Sequence, residues 1–131
     1  MGALTELTTT AFEFILPRGL VDEAGQVHRR GTMRLATAKD ELAAQRHPQV
    51  QQYPEYLMLV LLSQVISPLG TLQTVSPAQL EQLFTQDLSY LKEFYNRLNR
   101  QGHPYVAAHC PQCDRTFRVE LTLAGESLAT P

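Results

Sequence analysis

Residues 76–100, SPAQLEQLFTQDLSYLKEFYNRLNR, decide how the rest of the chain is read. Ser76 supplies an N-cap hydroxyl, Pro77 occupies the first helical position and Gln79 stands at N3. Each satisfies or removes a donor orphaned at a helix start. Leu80, Leu83, Phe84, Leu88, Leu91, Tyr95 and Leu98 then recur at helical spacing and draw one apolar stripe along about seven turns. Gln82, Gln86, Lys92, Glu93 and Arg97 fall mostly off that stripe, and Gly102 with Pro104 marks its end. The pattern predicts one long amphipathic helix.

Upstream, Ala11 to Leu16 alternates and reads as a strand with Phe12, Phe14 and Leu16 on one face. Pro17 and Gly19 bend the chain. Asp22 to Gly25 is a polar turn before a second strand, Gln26 to Leu35, so the two strands form an N-terminal β-hairpin. In the second strand Val27, Arg29, Gly31 and Met33 alternate with His28, Arg30, Thr32 and Arg34, which makes one face rich in cations. Thr37 and Asp40 form a capping box for a short helix from Ala38 to about Arg46, which His47-Pro48 stops. A second helix, Tyr53 to about Ser67, is apolar all round and reads as the buried centre of the domain or an oligomer seam. Leu69-Gly70-Thr71-Leu72 is a tight connection to the long helix.

The whole is an α+β chain of 131 residues, enough for one core but not two independent ones. Residues 1–101 form the body, and 102–131 a small C-terminal β-hairpin and tail. A net charge of -2 leaves no basic footprint for nucleic acid phosphates. The strongest apolar run, Tyr56 to Ile66, is too short to cross a bilayer, and Met1 to Thr10 lacks the pattern of a signal peptide. Two closely spaced cysteines do not make a disulfide scaffold, so the expected location is the reducing cytoplasm.

Cys110-Pro-Gln-Cys113 is the one metal-like motif. Two residues between thiolates let both reach one zinc from a tight turn, in a strand–knuckle–strand setting like half a zinc ribbon. Four ligands are needed, so His109, His103, His47, His28 or a second subunit's cysteine pair would complete the site. Two reduced cysteines in a metal-free turn are the other reading. A thioredoxin-like role is disfavoured, because the sequence after Cys113 reads as strand where that chemistry wants a helix start.

No phosphate-binding glycine loop, G-x-S-x-G elbow or H-E-x-x-H helix is present. The acidic pairs Asp22-Glu23 and Asp40-Glu41 have local explanations in a turn and a helix start. Arg18, Arg29 and Arg34 could hold an acidic partner, against the commoner role of charges that keep an edge strand from aggregating.

The run from Leu16 to Glu41, LPRGLVDEAGQVHRRGTMRLATAKDE, resembles the opening of a family of phage tail assembly proteins. Leu69 to Leu72, Leu83-Phe84, Asp87 to Leu91, Phe94-Tyr95 and Arg97 to Asn99 continue the pattern over roughly residues 11–100. The family is similar to the tail assembly chaperones of Mu-like contractile phages, with relatives in contractile injection system clusters. The resemblance implies a non-enzymatic protein that handles a tail component, chiefly the tape measure, during assembly. Arg18, Arg34, Leu88, Leu91 and Tyr95 are then the candidate partner-contacting residues, the last three on a stripe that could pack against partner helices. A structural baseplate or tube adaptor stapled by a zinc knuckle is the alternative. A zinc-knuckle nucleic-acid binder is disfavoured by the acidic balance.

Overall fold

A computed structural model describes residues 11–109 and 116–120, with side chains through residue 104. Strand β1, Ala11–Val21, runs antiparallel to β2, Val27–Arg34, from Ala11 opposite Arg34 to Val21 opposite Val27. The alternation expected for β1 holds, with Phe14 and Leu16 buried and Phe12 half-buried against the core. The strand does not stop at Pro17. Leu16, Pro17, Arg18 and Gly19 instead bulge against Arg29 alone, between the pairs Ile15–Arg30 and Leu20–His28. The bulge also breaks the regular two-faced alternation of β2, where His28, Gly31 and Met33 are inward and Val27, Arg29 and Arg30 exposed. Asp22 closes the hairpin turn, accepting Gly25 N–H on its carbonyl at 3.0 Å and Gln26 N–H on its carboxylate at 2.9 Å.

Helix α1, Ala38–Gln45, starts at the capping box that the sequence specifies, with Asp40 N–H on the Thr37 hydroxyl and Thr37 N–H on the Asp40 carboxylate. Two departures follow. His47 caps a short α2, Pro48–Gln52, through its ring nitrogen, and Pro54–Tyr56 forms a 3₁₀ turn before α3, Leu57–Val65. The apolar run therefore gives a shorter helix than expected. Its last residues, Ile66–Leu69, are strand β3, paired with β2 through Gly31–Leu69 and Met33–Ile66. Pro68 has no N–H to give a helix and disfavours helical backbone at Ser67, whereas β2 supplies bonding partners.

The stretch 76–100 is two helices, not one. The Ser76 capping box opens α4, Pro77–Leu80, and α5 runs from Thr85 to Gln101. Between them Phe84 is extended (φ -64°, ψ 150°) and acts as the N-cap of α5. The break turns Phe84 out to solvent, 51% exposed, and points Asp87 inward at 0%. Beyond it Leu91, Tyr95 and Leu98 of the expected stripe are buried and Leu88 is half-buried. Tyr90 and Phe94, which the stripe left out, are buried too, and Phe94 meets the Phe14 ring edge-on at 5.7 Å. Gly102, at φ 82°, ends α5 and donates its N–H to Leu98.

The body is thus a mixed α+β unit: a three-stranded antiparallel sheet, order β1-β2-β3, with helices packed on one face. Strands β4, Tyr105–His109, and β5, Thr116–Glu120, pair antiparallel with each other. No helix among the described residues is long and apolar enough to cross a membrane.

Candidate partner-binding surface

The bulge in β1 exposes peptide groups that the ladder with β2 cannot use, and two side chains take them up. Asp87 accepts Arg18 N–H at 2.9 Å and Gly19 N–H at 2.7 Å on its two oxygens. From the other side Arg29 donates Nε to Leu16 O at 2.9 Å and Nη2 to Pro17 O at 3.2 Å. The peptide joining Pro17 to Arg18 is therefore gripped at its oxygen by Arg29 and at its nitrogen by Asp87. Tyr90 adds its hydroxyl as an acceptor for Ile15 N–H at 3.4 Å. Helix α5 so covers the free edge of β1 with side-chain acceptors, and Asp87 at N3 also sits where a helix start favours negative charge.

Of the expected partner-contacting residues, Arg18 is on the surface. Its guanidinium lies 5.9 Å from the centre of the Phe84 ring, and its Nε donates to Gln86 at 3.0 Å. Leu88 is half-buried. Leu91 and Tyr95 are core: Leu91 is 0% exposed, and the buried Tyr95 sends its hydroxyl to Glu41 at 3.2 Å. Burial, and Glu41 beside it, push the Tyr95 phenol up to about 12. Arg34 is an internal staple. It makes two bonds to the Asp40 carboxylate, at 2.7 and 2.9 Å, and donates to the carbonyls of Leu35 and Gln64. Four of its five N–H groups are spent, and the Arg34 guanidinium holds the Asp40 carboxyl well below the usual carboxylate range.

Cys110 and Cys113 lie outside the described residues, as does the His109 side chain. His103 is half-buried just beyond the end of α5 and makes an interaction of its own. Among the described residues no group of three or more His, Cys, Asp or Glu is placed to hold a metal ion.

His28 and Asp22 form a pair that spacing did not single out. The ring is 3% exposed and its Nε2 lies 2.8 Å from the Asp22 carboxylate. Thr71 N–H approaches Nδ1 at 3.4 Å, which assigns the proton to Nε2. The hydrogen bond from His28, then that from Gln26, lowers the Asp22 carboxyl below its ordinary value. Both ring nitrogens are engaged, so the pair braces the hairpin tip against the loop after β3 instead of presenting a base. Beside it an open hollow of about 780 Å³ lies between residues 20–24, Leu72 and the Ala78, Gln79 and Gln82 side of α4.

The surface residues that the stripe argument missed are those the bulge and the helix break turn outward. Phe84, Ile15 (46% exposed) and the cross-strand pair Val21–Val27 are large apolar side chains in solvent. Arg18 lies against Phe84 and Arg29 beside Val27, and neither arginine is in an ion pair among the described residues. Comparison of the chain with protein-family models, with curated proteins and with solved structures finds no match.

Proposed function

We propose that this chain is a non-enzymatic tail assembly protein of a contractile phage tail or phage-tail-like injection system, a cytoplasmic chaperone for a tail component such as the tape measure. The observation that carries the reading is the surface around the β1 bulge, where exposed Phe84 lies against Arg18, exposed Val27 shares the space over Gly19 with Arg29, and neither guanidinium has a carboxylate partner among the described residues. Such a mixture of apolar area and unpaired charge suits protein binding. The engaged state of His28 and the inward aim of Asp87 favour a binding role over a catalytic one. The ordered likeness of residues 11–100 to tail assembly proteins supplies the identity of the partner.

The test is co-expression of the full chain with the tape measure from the same gene cluster. A chaperone keeps the tape measure soluble and co-purifies with it. An unchanged insoluble fraction and no complex would remove the reading.

A second reading, a baseplate or tube adaptor stapled by zinc, draws support from the register of β4 and β5. His109 stands opposite Thr116, and both cysteines fall in the sequence between these two strand ends. Stoichiometric zinc in the purified chain would favour it.

A further inference from the structure

The geometry points to the corner where the β1 bulge meets the start of α5 as the docking point for a carboxylate-bearing apolar segment of a partner protein. The inference rests on the proposed binding role and specifies its chemistry. Arg18 and Arg29 stand at one peptide: Arg29 holds the oxygen of the Pro17–Arg18 linkage, and Arg18 begins immediately after it. Arg29 retains Nη1, and Arg18 retains both terminal nitrogens, since only its Nε is committed. Asp87, which holds the backbone of the bulge, faces inward and spends both oxygens on the N–H groups of Arg18 and Gly19, so it leaves the guanidiniums to the surface. Elsewhere on the same sheet Arg30 is paired with Glu13 and Arg34 with Asp40. Among the described arginines of this sheet, those left without an ion pair are Arg18 and Arg29.

The apolar half of the socket is Phe84 on one side and Val27 on the other. The Phe84 ring is already oriented by Arg18, and the side chains of Val27 and Arg29 both cross over Gly19, which has no Cβ to obstruct them. An anionic, apolar peptide therefore meets a planar donor pair, a ring face and an aliphatic wall together. A cationic segment would place like charges against Arg18 and Arg29. A net charge of -2 gives the chain as a whole no attraction for acidic proteins, so the local pair must supply it.

The test places a photoreactive benzoylphenylalanine at position 84, and separately at exposed Tyr53 as a remote control, in the full-length chain in its native host. The crosslinked segment is then sequenced. The expected product at position 84 is a segment with Asp or Glu beside apolar residues, and its yield falls about fivefold or more in Arg18→Gln, which leaves the backbone bond to Asp87 in place. Circular dichroism establishes that this variant folds. A crosslink to a basic segment, to nucleic acid or to a second copy of this chain overturns the inference, as does a yield that Arg18→Gln leaves unchanged. Failure is distinguishable from failure of the proposed function. A tail component captured at Tyr53 but not at position 84 sinks only the docking site, whereas an acidic segment of an unrelated protein captured at position 84 sinks only the chaperone role.

Discussion

The carboxylate of Asp87 accepts the backbone N–H of Gly19 at 2.7 Å, across 68 positions of sequence. Its other oxygen takes Arg18 N–H, and the side chain is fully buried. Removing it leaves two backbone donors without an acceptor, that of Gly19 buried and that of Arg18 partly so. Asp87→Ala is expected to cost about 3 kcal/mol in urea denaturation, and Asp87→Asn nearly as much, because an amide cannot present two acceptors. Hydrogen exchange at Gly19 should accelerate in both.

Gly19 is at φ 104°, and a Cβ there would come 2.5 Å from Val27 Cγ1 and 2.7 Å from Arg29 Cγ. Gly19→Ala combines backbone strain with that clash, for an expected loss of about 2 kcal/mol or more. Arg29 would be displaced from the Leu16 and Pro17 carbonyls, so the arginine's Nε proton should lose its slow exchange by NMR.

The Arg34–Asp40 pair sets an acid-side sensitivity. Arg34, and then the Thr37 bonds, hold the Asp40 carboxyl below its unfolded value, so the unfolded chain binds the proton more readily. The stabilisation is present above the ordinary aspartate value of about 3.9 and is lost as pH falls through the lower folded value. Asp40→Asn is expected to cost about 1–3 kcal/mol at pH 7 and to flatten the loss of stability below about pH 4. Urea titrations at pH 7 and pH 3 read both effects.

Tyr95 behaves in the opposite sense. Its folded value is pushed up to about 12 from 10.0, so the stability it contributes is intact below pH 10 and disappears as pH rises through about 12. Absorbance at 295 nm should show Tyr95 titrating late together with Tyr56, whose phenol the bond to Glu81 also pushes up to about 12, and Tyr95→Phe should shrink that late step without abolishing it. The same change should cost no more than about 1 kcal/mol at neutral pH, the size of one hydrogen bond to Glu41.

Leu91 and Phe84 separate core from surface. Leu91→Ala opens a cavity in a fully buried site and is expected to cost about 2–5 kcal/mol. Phe84→Ala should change stability by about 0.5 kcal/mol or less while weakening partner binding. Thermal denaturation and pull-down on the same two variants check the pair.

What could be read in the sequence was local. The capping boxes at Thr37 and Ser76 are complete within four residues, and the α5 stripe repeats within the helix, so both were visible without tertiary context. The helix break at Phe84 was not, because its compensation lies in Asp87 bonding to a bulge near the other end of the chain. Strand β3 was hidden because Ile66 continues an apolar run that a helix and a buried strand share. Arg34 looked like a free cation in an alternating strand, but its partner Asp40 is six positions on, across a turn that alternation does not encode. Arg18 stands exposed because it lies in the bulge, a feature that strand alternation does not encode.

The most direct measurement is quantitative mass spectrometry of purified assembled particles from the native host, alongside total cell lysate. The chaperone account expects the chain to be abundant in lysate and absent from particles, with assembly failing when its gene is deleted. Stoichiometric presence in the particle would contradict it and make the chain a structural part of the machine.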